Sequence, residues 1–264
     1  MKYPFFISTI ILVMATLTAC SQKTNRNNFL NLNYTQNGNK LEGYLAKPVK
    51  AGKAPGIVIL HAWMGITEHE KTTADRLSKL GYYALAADIY GKGIRPKNAQ
   101  EASKFAHHYE AEDYQTYIAR IQSAINELIK AGADPNNIAV IGYCFGGFGA
   151  IEAARNNLPV KGIVSFHGSL LKDPSGATTP ITPKVLILHG NDDPTQPQNA
   201  DVDFRSEMET RNADYQMVYF GHAVHSFTDI TAGNDMSKGV AYNANADRRS
   251  WQYMVDFLRE LFGK

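Results

Sequence analysis

The sequence of 264 residues contains very little cysteine: only Cys20 and Cys144. A framework of several disulfides is therefore excluded, and the C-x-x-C pattern of dithiol redox proteins is absent. Charge of one sign is lacking as well, because 27 Lys and Arg residues nearly balance 25 Asp and Glu residues, for a formal net charge of +2. Such a balance creates no overall basic field of the kind that attracts nucleic acid. We therefore expect no nucleic-acid partner.

The sequence also lacks an apolar run of about 20 residues, the length that a helix needs to cross a bilayer. A shorter, almost unbroken apolar stretch covers residues 5–17, after Lys2, and ends in Leu17-Thr18-Ala19-Cys20. This ending resembles the lipoprotein box of bacterial export signals, in which cleavage before the cysteine leaves that residue to carry a lipid. A plain secretory signal and an uncleaved anchor are the alternatives.

This resemblance predicts a signal peptide over residues 1–19, with lipidation at Cys20. Residues 21–28 contain no apolar side chain, so we predict a polar tether over residues 20–28. The protein is then expected to be a lipoprotein held to a membrane of the bacterial cell envelope, on its periplasmic or outer-surface face. Cys144 would be the single remaining thiol, so a disulfide is not expected.

From residue 29 onward, strand and helix signals alternate without a repeat or a second change in composition, which predicts one domain over residues 29–264. The turn dipeptide Asn37-Gly38 predicts an antiparallel pair over residues 30–36 and 40–46, because both of its residues tolerate positive φ. Six later apolar runs are typical of buried strands: residues 56–60, 82–88, 138–143, 162–166, 185–189 and 216–220. Repeated strand–helix units predict an α/β fold with a mostly parallel central sheet and helices on both faces.

Three helices have clear signals between and after these strands. Thr67 followed by Glu70 forms a capping box, which predicts that a helix begins there. A long helix shows one apolar stripe, and a final helix is predicted to end at Gly263. The residues of the stripe are Tyr114, Ile118, Ile121, Ile125 and Leu128.

The first candidate site is a G-x-C-x-G sequence, Gly142-Tyr143-Cys144-Phe145-Gly146, between a predicted strand and a small-residue helix. A nucleophile elbow needs both glycines because the nucleophile lies on a sharp strand-to-helix turn where chain segments pass closely. The N terminus of the helix favours a thiolate at Cys144, and the Phe145 N–H is placed to stabilise an oxyanion. Alternatively, Cys144 is a buried structural thiol and the glycines only allow tight packing.

Two more loops follow predicted strands. Asp192 and Asp193 offer a carboxylate that can orient a histidine, although the same residues are common in simple turns. His222 and His225 offer a general base, and no cluster of cysteines or carboxylates completes a metal site around them, so no metal is expected. Nucleophile, acid and histidine follow each other in the chain order of α/β-hydrolases. Two earlier histidines have no evident partner: His61 and His69.

The elbow Gly142-Tyr143-Cys144-Phe145-Gly146-Gly147 resembles the G-Y-C-x-G-G motif of the dienelactone hydrolase family, and similarity continues over nearly the whole chain from about residue 41. The family's G-x-x-D spacing implies Asp193 rather than Asp192. Its H-x-F motif implies His225 rather than His222. The resemblance thus implies an α/β-hydrolase fold with a cysteine-type triad.

The sequence departs from the dienelactone-cleaving members at two positions. Ala62 stands where they carry a glutamate that controls the proton of the thiol, so we expect His225 to activate Cys144 directly. Asp229 stands where they use an arginine to hold a substrate carboxylate, so an anionic dienelactone would meet a negative charge. Lys92 is a candidate substrate-binding cation in this sequence.

The expected reaction is acyl transfer on a small-molecule ester or lactone. Cys144 attacks the carbonyl, the backbone N–H groups of Trp63 and Phe145 hold the oxyanion, and His225 transfers the proton before water releases the thioester. Neither a cofactor nor a metal is required. Two alternatives are a broad carboxylesterase for neutral or carbohydrate esters, and a non-catalytic surface lipoprotein that uses the scaffold for binding.

Overall fold

The computed structural model of the protein describes residue 1, residues 29–50 and residues 52–263. The predicted lipidation site Cys20, the tether, and the signal peptide after its first residue lie outside the described residues. Within the part described, no helix reaches the length and apolarity that a bilayer crossing demands.

An eight-stranded sheet forms the centre of the described chain, in the order β1-β2-β4-β3-β5-β6-β7-β8. The strands are β1 (Phe29–Gln36), β2 (Asn39–Ala46), β3 (Ala54–Leu60), β4 (Tyr83–Ala87), β5 (Ala133–Tyr143), β6 (Gly162–Phe166), β7 (Lys184–Gly190) and β8 (Tyr215–Phe220). Strand β2 pairs antiparallel with β1 and β4, and all other neighbours are parallel. The predicted α/β fold with a mostly parallel sheet is confirmed.

Helices cover both faces of the sheet, as predicted. They are α1 (Glu68–Lys79), α2 (Ala99–His107), α3 (Tyr114–Lys130), α4 (Phe145–Arg155), α5 (Ala200–Thr210) and α6 (Ala244–Phe262). Strand β3 shows why two layers form: Ile57 and Ile59 pack in the cluster with α1 and α6, whereas Val58 and Leu60 pack in the cluster with α3, α4 and α5. Alternate side chains of a strand point to opposite faces, and each such burial contributes about 1.5–3 kcal/mol.

Local signals set several element ends where the sequence predicted them. Asn37 and Gly38 both have positive φ in the turn between β1 and β2. The Thr67 hydroxyl accepts a hydrogen bond from the His69 N–H, and Glu70 accepts one from the Thr67 N–H, so the capping box at α1 is confirmed.

The predicted stripe of α3 is partly wrong. Tyr114 and Ile118 are only half-buried, whereas Tyr117 is fully buried. The hydroxyl of Tyr117 donates a hydrogen bond to the Phe145 carbonyl at 2.9 Å. A tertiary contact with α4 therefore rotates the buried face away from the purely apolar positions.

A buried ion network joins α4 to α5. Arg155 donates to Glu152 and to Glu207 at 2.6 Å each, and Arg211 lies 3.5 Å from the same Glu207. All four side chains are nearly inaccessible to solvent. Buried charges persist only when they are paired, so this network fixes the two helices relative to each other.

The carboxyl ends of β5 to β8 meet at one edge of the sheet, because these strands are parallel neighbours. Cys144 follows β5, His167 follows β6, Asp193 follows β7 and His225 follows β8. In sheets of this kind, reactive groups collect at this edge.

Candidate active site

Cys144, His225 and Asp193 lie in one hydrogen-bonded line. His225 Nε2 is 3.1 Å from Cys144 Sγ, and His225 Nδ1 is 2.9 Å from Asp193 Oδ2. The other carboxylate oxygen of Asp193 accepts hydrogen bonds from the N–H and the hydroxyl of Thr195, at 2.9 and 2.7 Å. A nucleophile, a base and a group that orients the base are thus within reach of each other, which is the geometry of nucleophilic catalysis.

The elbow presents Cys144 on a strained turn. Its φ of 54° and ψ of −114° form a combination that residues with side chains rarely adopt. A Cβ at Gly142 would overlap the backbone of Gly146, and a Cβ at Gly146 would overlap the Leu60 carbonyl. Both positions therefore require glycine: Gly142 lets β5 lie close to α4, and Gly146 lets α4 pack against the end of β3.

Asp192 and His222, the two alternatives that the family resemblance did not favour, lie apart from the hydrogen-bonded line of the candidate triad. The side chain of His222 is 95% exposed, and its Nδ1 is 3.8 Å from Asp192 Oδ2. His222 and His225 thus turn to different partners. Among the residues that the structure describes, no group of three or more His, Cys, Asp or Glu side chains is arranged to hold a metal ion.

The site favours a charged His225. Burial lowers the pKa of His225, but the charge of Cys144 and the hydrogen bonds that the ring makes with Asp193 and Cys144 outweigh it and raise the pKa to about 10. Burial raises the pKa of Asp193, yet its hydrogen bond with His225 and the charge of that ring hold the pKa below its usual value. Asp193 is therefore a carboxylate, and the His225 ring that it orients lies 3.1 Å from Cys144 Sγ.

The predicted oxyanion donors lie on two loops in contact. Phe145 is the first residue of α4, where backbone N–H groups have no partner within the helix. The Trp63 carbonyl accepts a hydrogen bond from the Tyr90 hydroxyl at 2.9 Å, which fixes the loop after β3. The ring of His61 on that loop stacks on Phe145 at 5.8 Å.

The prediction that His61 and His69 have no partner is wrong. His61 is fully buried, donates from Nδ1 to the Ala62 carbonyl at 2.7 Å and accepts at Nε2 from the Ile89 N–H at 3.2 Å. His69 packs edge-on against Tyr143 at 4.4 Å. Burial opposes charge on His69, but the neighbouring carboxylate of Glu70 raises its pKa.

A cavity of about 620 Å³ opens beside the candidate triad. It is lined by the chain neighbours of two members, Tyr143 and Ser226, and by Trp63, Asp229 and Asp247.

Lys92 is not brought to this cavity. Its Nζ lies 3.0 Å from Glu42 Oε2 and 2.5 Å from Asn33 Oδ1, beside the hairpin of β1 and β2.

The mostly parallel sheet and the elbow at the end of β5 define an α/β-hydrolase fold. The family model described as dienelactone hydrolase family matches residues 41–262. The chain belongs to this family.

Several proteins similar to the chain carry the names of hydrolases. It is 35% identical to a dienelactone hydrolase-like promiscuous phosphotriesterase, P91, from metagenomic libraries, with a TM-score of 0.83 over 88% of this chain and 98% of that one. It is 25% identical to a putative carboxymethylenebutenolidase of Yersinia pestis, over 84% of this chain and 85% of that protein. A probable 2-oxo-3-(5-oxofuran-2-ylidene)propanoate lactonase of Bradyrhizobium sp is 27% identical, over 86% and 93%. The protein is a hydrolase that acts on ester bonds.

Proposed function

We propose that the protein cleaves carboxylic esters or lactones through a triad of Cys144, His225 and Asp193 and a thioester intermediate. The observation that carries this proposal is the unbroken line from Sγ to Nε2 at 3.1 Å and from Nδ1 to the carboxylate at 2.9 Å. This line starts at a strained elbow, and such strain is found where a nucleophile must be held exposed.

The geometry supports a two-step reaction. Cys144 Sγ bonds to the carbonyl carbon, and the backbone N–H groups of Phe145 and Trp63 stabilise the oxyanion, each by roughly 3 kcal/mol. The His225 imidazolium gives its proton to the leaving alkoxide as the carbon–oxygen bond breaks. Neutral His225 then takes a proton from water, the hydroxide attacks the thioester, and the acid leaves with the thiolate regenerated.

The position of Ala62 bears on how the thiol is activated. With no carboxylate there, His225 is the group in contact with Cys144 Sγ, and its proton is already in place for the leaving group. Asp193 keeps the ring oriented through Nδ1. We infer that the enzyme needs no rearrangement of the thiol before attack.

The cavity supports neutral substrates better than an anionic dienelactone. Asp229 and Asp247 both line it, and Asp229 is fixed by hydrogen bonds from Thr231 at 2.8 and 2.7 Å. The lining contains four Asp and Glu side chains against Arg76, so a substrate carboxylate would meet an excess of negative charge. Neutral carboxylic esters, including carbohydrate esters, are therefore the first substrate class to test. Neutral phosphotriesters are the second, because the chain is 35% identical to P91.

The proposal is tested by steady-state hydrolysis with the purified full-length protein. p-Nitrophenyl butyrate, a neutral lactone, a neutral phosphotriester and a lactone carrying a carboxylate form the panel, with Cys144→Ala beside the wild type. We expect turnover of neutral substrates and a loss of several orders of magnitude in the variant. If nothing is turned over and Cys144 reacts with iodoacetamide no faster than a free thiol, the proposal fails and the non-catalytic binding role is favoured.

We also propose that the protein is lipid-anchored at Cys20 in a bacterial cell envelope. Support comes from the apolar stretch at residues 5–17 and the lipoprotein box that ends at Cys20. Metabolic labelling with an alkyne fatty acid should mark the wild type and not Cys20→Ala. Equal labelling of both would contradict this anchor.

A further inference from the structure

His167 links the elbow of Cys144 to the loop of His225. Its Nδ1 is 3.2 Å from the Cys144 N–H, and its Nε2 is 2.9 Å from Thr228 Oγ1. The ring also packs edge-on against the His225 ring at 5.2 Å between centroids. Only 2% of His167 is exposed, so these contacts account for both ring nitrogens.

The hydrogen bonds fix the tautomer of His167. The Cys144 N–H donates to the Phe166 carbonyl at 3.0 Å and is shared with His167 Nδ1 at 3.2 Å, so Nδ1 is the second acceptor of this donor and carries no proton. Nε2 then carries the hydrogen and donates it to the Thr228 hydroxyl. A second proton on the ring would set Nδ1–H against the Cys144 N–H, so the link requires a neutral His167.

The charges around His167 keep it neutral. Burial lowers its pKa well below the ordinary value, and positive charge at His225 and His69 lowers it further. Two other titratable residues lie beside the ring: Cys144, through its N–H, and Tyr143, whose ring is 6.2 Å away and whose pKa is raised by burial. The ring therefore stays a fixed donor–acceptor pair while His225 changes its protonation.

The backbone directs the ring into this position. His167 has a φ of 41°, in the left-handed region that side chains seldom adopt, directly after β6. The next residue, Gly168, packs against α4 so closely that a Cβ would be 2.5 Å from the Gly147 carbonyl carbon. Such strain persists where surrounding contacts over-determine it.

Other hydrogen bonds hold the loop of His225 to a later segment of the chain. His225 N–H donates to Gly239, Ala241 N–H donates to His225, and Asn243 N–H donates to Phe227. These bonds tie the loop to residues 239–243. The link through His167 and Thr228 ties it to the elbow instead.

We propose that His167 is a positioning residue, which sets the separation between Cys144 Sγ and His225 Nε2 through its hydrogen bond to Thr228. This inference rests on the proposed function. A group misplaced by about 1 Å can lower the rate by about a hundredfold without weakening substrate binding.

Thr228→Val tests the link without touching the strained backbone. It removes the hydroxyl at nearly constant volume, and Thr228→Ser restores it. Thr182→Val is a surface control for the same substitution, because the exposed Thr182 hydroxyl also makes one hydrogen bond, to Asn157 at 2.8 Å. His167→Asn is the second variant, since Asn tolerates positive φ but is too short to reach Thr228.

Three readouts separate positioning from general loosening of the fold. We expect Thr228→Val and His167→Asn to lower kcat by ten- to a hundredfold with KM within about twofold. Thr228→Ser should recover most of the rate. The alkaline change in Cys144 alkylation should move to lower pH in Thr228→Val, because a longer contact with the thiolate stabilises the imidazolium less.

Two results would overturn the inference. One is a Thr228→Val enzyme with wild-type kcat and an unshifted alkylation profile. The other is a loss of activity that Thr228→Ser does not restore and that follows a lowered melting temperature. Failure of the proposed function would look different, because the wild type itself would then show neither turnover nor accelerated alkylation.

Discussion

Replacing Glu70 by Gln should destabilise the protein at neutral pH and much less at low pH. The Glu70 side chain is 1% exposed, and its Oε1 accepts the Ala62 N–H at 3.2 Å. Its Oε2 accepts the N–H and the hydroxyl of Thr67 at 2.8 and 2.7 Å. A Gln side chain has only one acceptor oxygen. Its NH₂ group would therefore face either the Ala62 N–H or the Thr67 donors, and no hydrogen bond could form there.

The pKa of Glu70 sets the magnitude. Burial raises this pKa, but the charge of His69, whose Nδ1 lies 3.8 Å from Oε1, and the hydrogen bonds from Thr67 bring it down from 4.5 to about 2. This lowering of the Glu70 pKa corresponds to about 3 kcal/mol of stabilisation of the folded state. The folded-state pKa is depressed, so this stabilisation is complete above pH 4.5 and is lost as the pH falls through about 2.

Urea unfolding at pH 7, 4.5 and 3 measures this effect. The matched control is Glu68→Gln in the same helical turn, because the Glu68 side chain is 85% exposed and pairs only with Lys71 across the surface. We expect Glu70→Gln to lose about 3 kcal/mol at pH 7 and the gap to narrow as the pH falls. A variant as stable as the wild type at pH 7, or a gap independent of pH, would refute the reasoning.

Three further substitutions test the site and its support. Asp193→Asn should lower kcat by about ten-thousandfold in steady-state assays, because an amide donor at Nδ1 favours the wrong tautomer, whereas Asp192→Asn should leave it unchanged. Gly142→Ala should abolish either folded expression or the alkylation of Cys144. The added methyl group would overlap the Gly146 backbone, and no change of side-chain rotamer can relieve this overlap. Arg155→Met should cost about 3–5 kcal/mol in urea unfolding, because buried Glu152 loses its cation and Glu207 keeps only the more distant Arg211, whereas Arg205→Met at an exposed pair should cost less than about 1 kcal/mol.

Features with local causes were predictable from sequence. The turn at Asn37 and Gly38 depends on two adjacent residues, and the capping box depends on Thr67 and Glu70 within one turn. The elbow around Cys144 also depends on neighbours, because close passage of strand and helix demands glycine at fixed offsets. In each case the residues that indicate the structure lie within a few positions of each other in the sequence.

Features with distant partners were not predictable. His61 meets Ile89, 28 residues away, and His167 meets Thr228, 61 residues away. No sequence feature near either histidine indicates which residue is its partner. The loop position of Lys92 suggested a substrate-binding role. However, the Lys92 N–H donates a hydrogen bond to the Lys40 carbonyl, so its loop runs along the hairpin of β1 and β2, and Lys92 does not line the cavity.

The two departures from the dienelactone-cleaving members act on separate parts of the chemistry. Ala62 leaves His225 as the group in contact with the thiol, at 3.1 Å. Asp229 instead changes the charge of the cavity wall. In the proposed function, substrate choice and thiol activation therefore depend on different residues. A change at the cavity wall can therefore alter which ester is cleaved while the distances within the candidate triad stay as they are.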